Sequence, residues 1–204
     1  MTSTAPDITK RTSIGAQRNP ASEDAILTAA AEILSEGGLS AFSIEAVARR
    51  AKAGKPTIYR WWPSKAALLL DVYHRQKGET FYPDTGSTRG DLTAFLETLL
   101  GFWKKSGGEV FRSIIAEAQS DPAALEALRD YAVTRCRASG IILERGVARG
   151  EIRAELDIPL VMELFSSFCW QRLLTGRLDA SRGQLTHLVD AVLTGFAKKD
   201  RAAQ

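Results

Sequence analysis

The stretch RRAKAGKPTIYRWWPSK, residues 49–65, carries six cations and no acidic side chain, together with one tyrosine and two adjacent tryptophans. A protein core does not bury six unpaired charges, and a solvated surface usually mixes both signs. Within the stretch, Lys52–Gly54 is a predicted tight turn between two short helices, which is the arrangement of a helix-turn-helix. The charge alone fits an ordinary basic surface equally well. Charge and helix spacing together favour an anionic partner.

The apolar spacing upstream predicts two helices that lead into this turn. The first begins at Asn19–Pro20 or at Ser22, repeats apolar residues at helical spacing, and stops at the EGG sequence of Glu36–Gly38. The second is short, and Ser43 precedes it with a hydroxyl suited to accept a hydrogen bond from a free N–H of the first turn. With the helix after the turn, this predicts a three-helix N-terminal unit.

The helix after the turn is predicted over about residues 55–62. Because so short a helix is not stable alone, it needs an apolar anchor from the rest of the fold. Ile58 and Trp62 stand at positions i and i+4 and are expected to point inward, with Trp61 half exposed beside them. Pro63 is expected to end the helix.

The remaining chain also shows helical periodicity and no strand alternation. A fourth helix is predicted from Ser64 to about Lys77, and a long one from the SDP sequence at 120–122 to near Gly150. Another runs from the DIP sequence at 157 to Gly176, and a last one covers 185–196. The predicted fold class is all-α, with a three-helix N-terminal domain, a larger C-terminal helical bundle and about nine helices in total.

Charge is distributed unevenly along the chain. Residues 1–77 carry 11 Lys and Arg against 7 Asp and Glu, whereas residues 78–204 carry 16 against 17. The N-terminal excess points to an anionic partner for that part alone. The balance of the rest argues against a protein that grips DNA regardless of sequence. The predicted domains are a disordered basic tail at 1–19, a helix-turn-helix DNA-binding domain at 20–77, and a helical effector-binding and dimerisation domain at 78–204.

The outward side of the third helix and its flanks carry residue types that bind double-stranded DNA. Lys and Arg attract phosphate or guanine, Thr contacts base edges or a thymine methyl, and Tyr and Trp can donate a hydrogen bond to a phosphate oxygen. Lys65 stands at the start of the fourth helix, where free N–H groups also favour an anion. The predicted DNA-binding residues are Ser43, Lys55, Pro56, Thr57, Tyr59, Arg60, Trp61, Ser64 and Lys65.

Residues 42–73, FSIEAVARRAKAGKPTIYRWWPSKAALLLDVY, resemble the DNA-binding domain of the TetR family of bacterial repressors. The family pattern runs roughly IA..AGVS..TLY.YF.SK..L, and the resemblance extends over about residues 20–75. The chain departs from it at Gly54, where Ser or Thr often caps the recognition helix, and at Pro56, which removes one N–H. The matching residues are Val47–Ala48, Ala53–Gly54, Thr57–Ile58–Tyr59, Trp62, Ser64–Lys65 and Leu68.

Residues 90–197 are similar to one subtype of the TetR C-terminal domain. The resemblance implies a ligand-released homodimeric repressor that binds a palindromic operator, with a cavity for an unknown small-molecule effector. It also implies that the last two helices, about 158–176 and 182–197, pair with a second subunit as a four-helix bundle.

Large apolar residues of this domain are candidates for the effector pocket. Helical periodicity predicts the same residues as plain core or as dimer interface, so the alternatives stay open. Glu117 and Glu163 would suit a cationic ligand or an ordinary surface. The predicted pocket residues are Trp103, Phe111, Ile115, Phe165, Phe168 and Cys169, with Phe102 and Trp170 as further candidates.

The sequence carries no motif of an enzyme or a metal site. His74 and His187 have no nucleophile or metal partner at a recognisable spacing, and Cys136 and Cys169 form no CxxC pair. The start has no apolar signal region, and no apolar run reaches the ~18 residues of a membrane span. We therefore expect a cytoplasmic protein, nucleoid-associated when bound, with no catalytic residue, cofactor, metal or membrane partner. The enzymatic alternative is a helical cavity that turns over its ligand.

Overall fold

The computed structural model describes residues 19–77 and 82–195. Within these ranges the secondary structure is helical and contains no strand, which confirms the all-α prediction. Residues 1–18 of the predicted tail, and Phe196 of the predicted last helix, lie outside them. The chain divides into two compact units, one up to Trp61 and one from Trp62 onward. The predicted domain boundary at residues 77 and 78 stays a prediction.

The first unit contains three helices and the second contains the rest. In the second unit, α5, a π-helical segment and α6 follow one another without a break. Counted as one continuous stretch, they bring the number of helical stretches in the described ranges to nine, as expected. The helices are α1 Pro20–Ala41, α2 Ile44–Ala51, α3 Lys55–Trp61, α4 Lys65–Lys77, α5 Thr88–Phe102, the π segment Trp103–Gly107, α6 Gly108–Ala118, α7 Pro122–Ser139, α8 Ile141–Ala148, α9 Ile158–Leu174 and α10 Arg182–Thr194.

In the first unit the predicted helix signals operate as expected. The Asn19 side chain accepts a hydrogen bond of 3.1 Å from the backbone N–H of Ala21, and Pro20 occupies the first turn of α1. Gly38 leaves the helical conformation with φ 63°, so α1 is interrupted at the predicted EGG sequence before a final turn. The apolar residues that α1 and α2 bury are Ile26, Ala29, Ala30, Ile33, Ile44, Val47 and Ala48.

The single long helix predicted over 120–150 is wrong, because α7 and α8 are separate helices that meet at Gly140. A Cβ atom built on Gly140 would lie 2.9 Å from the Arg137 carbonyl oxygen and 2.9 Å from a methyl carbon of Ile158. No larger residue fits this close approach without a shift. The apolar spacing gave no sign of the break, since it continues across it.

In the second unit, α4 packs against α6 and α7, while α5 packs against α8, α9 and α10. Two ion pairs join α5 to α10, Arg89 to Asp190 and Arg182 to Glu97, each at 2.6 Å. Asp91 of α5 is fully buried and accepts hydrogen bonds from Arg149 at 3.1 Å and from the backbone N–H of Thr85 at 2.5 Å. These bonds satisfy a carboxylate that burial alone would destabilise. No helix of the described ranges is long and apolar enough to cross a bilayer.

The third helix ends at Trp61, one residue earlier than predicted. A residue that precedes proline is disfavoured in the helical region, and Trp62 precedes Pro63. Ile58 is buried on α3, as predicted, whereas Trp62 lies one residue beyond the end of that helix. Trp62 is buried as predicted, but it belongs to the second unit, where its Nε1 donates a 2.6 Å hydrogen bond to Oδ2 of Asp71 on α4.

Replacing Trp62 tests this assignment. Trp62→Ala should lower the free energy of unfolding by about 3–5 kcal/mol, because it removes a large buried side chain. Trp62→Phe should lose less, since it keeps part of the buried apolar contact, although it removes one ring and the hydrogen bond to Asp71. Chemical denaturation of both variants gives the comparison. A loss below about 1 kcal/mol for the alanine variant would mean that Trp62 is exposed.

Candidate nucleic-acid interface and internal cavity

The predicted turn between α2 and α3 is confirmed and consists of Lys52, Ala53 and Gly54. Lys52 adopts the left-handed conformation with φ 51° and ends α2 through a hydrogen bond from its N–H to the Ala48 carbonyl. The Gly54 carbonyl oxygen then accepts hydrogen bonds from Thr57 at 3.0 Å and Ile58 at 3.2 Å, which starts α3. Two short helices joined by this turn form a helix-turn-helix.

The inner face of α3 is made by Ile58 and Trp61. Ile58 is fully buried and Trp61 retains 9% exposure, so the expectation that Trp61 is half exposed is wrong. The two residues stand at i and i+3, which brings them to the same side of a helix. The Arg60 guanidinium lies 5.9 Å from the Trp61 ring centroid, a geometry in which the cation is attracted to the ring.

The outer face of α3 carries four exposed residues predicted to bind DNA, Lys55, Pro56, Tyr59 and Arg60. Tyr59 is the most notable, because 49% of a large aromatic side chain is open to solvent. The Lys55 ammonium forms a 2.5 Å ion pair with Glu45 of α2, which lowers the pKa of that carboxyl. A phosphate or guanine that binds Lys55 must therefore compete with Glu45. Thr57, also predicted, is half-buried.

Three more predicted DNA-binding residues lie at helix starts, and two of them cap the helix that follows. Ser43 accepts a 3.1 Å hydrogen bond from the N–H of Ala46 and caps α2, as predicted. Ser64 does the same for α4 through the N–H of Ala67, also at 3.1 Å, and it is buried. Lys65 opens α4. The assignment of all nine residues to DNA contacts stays a prediction.

Glu117 at the end of α6 holds the same end of α4. One of its carboxylate oxygens accepts a 3.3 Å hydrogen bond from the N–H of Ala66, and the other lies 3.4 Å from the Lys65 ammonium. The sequence suggested a surface position or a cationic ligand for Glu117, and it is half-buried against a lysine of its own chain. Glu163, the other acid considered, is exposed.

A cavity of about 40 Å³ lies within the second unit. Most of its wall is aromatic, two of its residues are cations and two are serines, and no carboxylate is found among the described residues that line it. The lining residues are Tyr73 and Lys77 of α4, Tyr82, Phe95 and Leu99, Trp103 and Phe111, Tyr131, Arg135 and Ser139 of α7, and Ser166 and Trp170 of α9.

The aromatic wall is tightly connected. The Tyr73 and Phe111 rings stack with centroids 4.9 Å apart, and the Trp103 ring stacks on Phe111 at 5.6 Å. Trp103 Nε1 donates a 2.8 Å hydrogen bond to the Tyr73 hydroxyl oxygen. Burial raises the pKa of Tyr73 and of Tyr131 well above that of a free phenol, so both stay neutral.

The two cations of the cavity influence each other. Burial, together with the nearby charge of Arg135, lowers the pKa of Lys77 to about 8. Arg135 lies with Nη1 3.4 Å from Nδ1 of His74 and with its guanidinium 6.0 Å from the Tyr131 ring centroid. The cavity therefore concentrates positive charge against aromatic surface.

The predicted pocket residues are divided by this geometry. Trp103 and Phe111 line the cavity, whereas Ile115, Phe165 and Cys169 are buried but are not part of its lining. Phe168 is partly exposed, with the Arg172 guanidinium 5.1 Å from its ring centroid. Burial raises the pKa of the Cys169 thiol to about 12, so it remains protonated. Which residues contact an effector stays a prediction.

Most of the cavity residues were not predicted, although the sequence contains a pattern that indicates them. The four central residues form two pairs at i and i+4, Tyr73 with Lys77 on α4 and Tyr131 with Arg135 on α7. Residues at this spacing lie on the same face of a helix. Repetition of an aromatic–cation pair on two helices that pack together would have pointed to a shared site.

A helix-turn-helix with a basic and aromatic outer face, followed by a helical unit that contains a cavity, is typical of DNA-binding transcriptional regulators. The comparison with known families agrees. The family described as "Bacterial regulatory proteins, tetR family" matches residues 26–72, and "Tetracyclin repressor-like, C-terminal domain" matches residues 82–192. The chain belongs to the TetR family, as the resemblance predicted. It is a DNA-binding transcriptional regulator and not an enzyme.

Individual relatives match most of the chain. It is 34% identical over 163 residues to an uncharacterized HTH-type transcriptional regulator, YdeS of Bacillus subtilis, covering 78% of this chain and 82% of that one. It is 31% identical over 174 residues to the DNA-binding transcriptional repressor TetR of Mycobacteroides abscessus, covering 83% and 90%. The crystal structure of the TetR family regulator SCO0332 superimposes with a TM-score of 0.74 at 30% identity, covering 86% and 98%.

Two substitutions separate a phosphate contact of Lys65 from its pairing with Glu117. Lys65→Ala should weaken binding to all DNA sequences alike and reduce the slope of log affinity against log salt by about one, because one counterion-releasing contact is lost. Glu117→Gln should strengthen binding, since it removes the negative charge beside Lys65, the predicted phosphate contact, and keeps an oxygen that can accept from Ala66.

Both effects are measured by fluorescence anisotropy with labelled DNA at several salt concentrations. An unchanged salt slope for Lys65→Ala would exclude the phosphate contact. Weaker binding by Glu117→Gln, with melting temperature retained, would mean that Glu117 supports the DNA-bound conformation.

Proposed function

We propose that the protein is a homodimeric transcriptional repressor that binds a palindromic operator and is released from it by a small-molecule effector. The observation that carries the proposal is the outer face of α3. Tyr59 and Arg60 are exposed there, on a helix whose inner face is fixed by Ile58 and Trp61. Repression is supported by the name of the Mycobacteroides abscessus relative, a DNA-binding transcriptional repressor. Such a protein acts in the cytoplasm, at the nucleoid.

The outer face of α3 suits base recognition in the major groove. A recognition helix contacts base edges with residues near its N-terminus, while neighbouring groups hold phosphates. Thr57 and Tyr59 supply hydroxyls, and Lys55 and Arg60 supply cations that pair with guanine or phosphate. We propose that these four read the operator, and that Pro56 and Trp61 shape the helix that presents them.

Exposed apolar residues on α9 support the proposed dimer. Leu160 and Leu164 each have 53% exposure, stand at i and i+4, and are followed by the partly exposed Phe168 one turn later. Three apolar residues in one exposed line on a helix indicate a contact surface. We propose that this line, with α10, meets the same surface of a second copy about a two-fold axis. The predicted spans were about 158–176 and 182–197.

Two-fold symmetry determines the form of the operator. Each subunit presents one α3, so the two half-sites must be inverted repeats whose centres lie about one DNA turn apart, or a multiple of it. An effector that prefers a dimer with a different spacing of the two α3 helices lowers DNA affinity, with a coupling that is typically about 1–3 kcal/mol. The chain connects the two parts directly, because α4 begins after only Trp62, Pro63 and Ser64, and its Tyr73 and Lys77 line the cavity.

Selection of bound fragments from sheared genomic DNA of the source organism tests DNA recognition. The protein is first unfolded in guanidinium and refolded, so that no co-purified effector remains. At about 150 mM salt we expect enrichment of one near-palindromic motif, because base contacts outlast non-specific attraction under these conditions. The matched control is the same selection without protein. Retention of DNA without any enriched motif would contradict the proposal and indicate a sequence-indifferent grip.

The dimer surface is tested with a matched pair of charge insertions. Leu164→Glu should give a monomer in sedimentation velocity and lose operator binding, because it buries a carboxylate in the proposed interface. Val133→Glu on α7 is the control, since Val133 is equally exposed at 50% and lies on a different helix. It should remain dimeric. A Leu164→Glu variant that sediments as a dimer would contradict the assignment of α9 to the interface.

A further inference from the structure

We infer that the cavity of the second unit takes a flat aromatic anion, a ring system that carries a carboxylate or phenolate, and that Lys77 and Arg135 bind its negative charge. The inference deepens the proposed function and rests on it, because it names the chemical class of the effector. Four elements of the cavity point to this class, namely its charge, its aromatic wall, its hydroxyls and its size.

The charge of the cavity selects an anion. Lys77 on α4 and Arg135 on α7 reach the same small space from two packed helices. Two like charges in a partly desolvated site repel each other, and burial, followed by this repulsion from Arg135, lowers the pKa of Lys77. An anion between them is attracted to both cations and offsets their repulsion. The Arg135 guanidinium can also donate two parallel hydrogen bonds to one carboxylate. A cationic ligand would meet repulsion from both.

The wall of the cavity selects a flat aromatic body. Phe111 stacks with Tyr73 and with Trp103, and the Trp170 ring stands edge-on to Phe111 at 5.4 Å. Aromatic rings prefer offset-stacked or edge-to-face neighbours, so a ligand ring gains the same contacts that these side chains make with each other. A branched aliphatic anion would fill the same space without them.

The hydroxyl groups that line the cavity are neutral and do not repel a bound anion. The Tyr73 hydroxyl oxygen already accepts a hydrogen bond from Trp103, and the raised pKa values of Tyr73 and Tyr131 keep both phenols neutral. The Ser139 hydroxyl donates within α7, to the carbonyl oxygens of Arg135 and Cys136. No ionised oxygen of the described lining therefore opposes an anion beside Lys77 and Arg135.

The size of the cavity links binding to regulation. At about 40 Å³ it holds a few water molecules, whereas pockets for drug-sized ligands typically measure about 300–1,000 Å³. A ring can enter only if the lining residues move, and α4 and α7 carry both cations. The ligand therefore favours a conformation that differs from the empty one, which is the requirement for a ligand to shift an equilibrium.

The test uses three probes with one ring system and different charge, namely 2-naphthoate, its neutral amide and the cationic amidine. Binding to the full chain is measured by isothermal titration calorimetry at pH 7, and release of operator DNA is measured separately by anisotropy. We expect naphthoate to bind at least about tenfold more tightly than the amide, and the amidine to be the weakest, because only the anion gains from both cations.

Charge-removing variants locate the binding site. Lys77→Gln and Arg135→Gln should each weaken naphthoate binding by about tenfold or more and leave amide binding nearly unchanged. Arg129→Gln is the control, because Arg129 is an exposed cation of the same helix α7 that does not line the cavity. If Arg135→Gln does not fold, Lys77→Gln alone decides the point.

The outcomes separate this inference from the proposed function. Tight naphthoate binding that depends on Lys77, without operator release, would support the ligand class and contradict ligand-released repression. Equal binding of naphthoate and amide, no saturable naphthoate binding, or naphthoate binding unaffected by both variants would overturn the inference, and the repressor proposal would remain.

Discussion

A helix of seven residues holds its position only through contacts with the rest of the fold, and α3 is held by the burial of Ile58 and Trp61. The consequence is geometric. Once these two side chains face inward, Tyr59 and Arg60 must face outward, because neighbouring positions on a helix point in different directions. The outer surface of α3, which we propose reads the operator, is thus positioned by two buried residues on its inner face. On one side of this short helix Trp61 is buried and anchors it, and on the other side Tyr59 and Arg60 are exposed to solvent.

Pro63 determines where α3 ends and where the second unit begins. It ends α3 at Trp61 and leaves Trp62 outside the helix, so two adjacent tryptophans are buried in different units. Trp62 then bonds to Asp71 of α4, and Glu117 of α6 holds the first turn of the same helix. Further along α4, Tyr73 and Lys77 enter the cavity. The helix α4 therefore follows α3 after three intervening residues, carries Lys65 and its ion pair with Glu117 at one end, and carries Lys77 of the cavity at the other.

Much of the fold could be predicted from the sequence because helix signals are local. Asn19, Ser43, Ser64 and the SDP and DIP sequences each cap a helix, and apolar spacing identified the faces that are buried. The break at Gly140 was not predicted, because the apolar spacing continues across it and the contact of Ile158 with Gly140 joins residues that are distant in sequence.

The candidate site was harder to predict than the fold. The exposed residues of α3 follow from helix periodicity, which assigns Ile58 inward and Tyr59 outward. A cavity is formed by several helices together, and periodicity cannot tell a lining residue from a core residue such as Phe165 or Cys169. Tyr73 and Lys77 belong to the predicted fourth helix, and only the packing of α4 against α7 brings them together with Arg135.

The most direct test of the account is the specificity of a Tyr59→Ala, Arg60→Ala double variant. The affinity for the selected operator is compared with that for scrambled DNA of equal length, at about 150 mM salt, and the melting temperature is recorded alongside. We expect the ratio of the two affinities to fall at least about tenfold while the melting temperature is retained, because both residues are exposed. A variant that keeps the wild-type ratio would contradict the claim that α3 reads the operator.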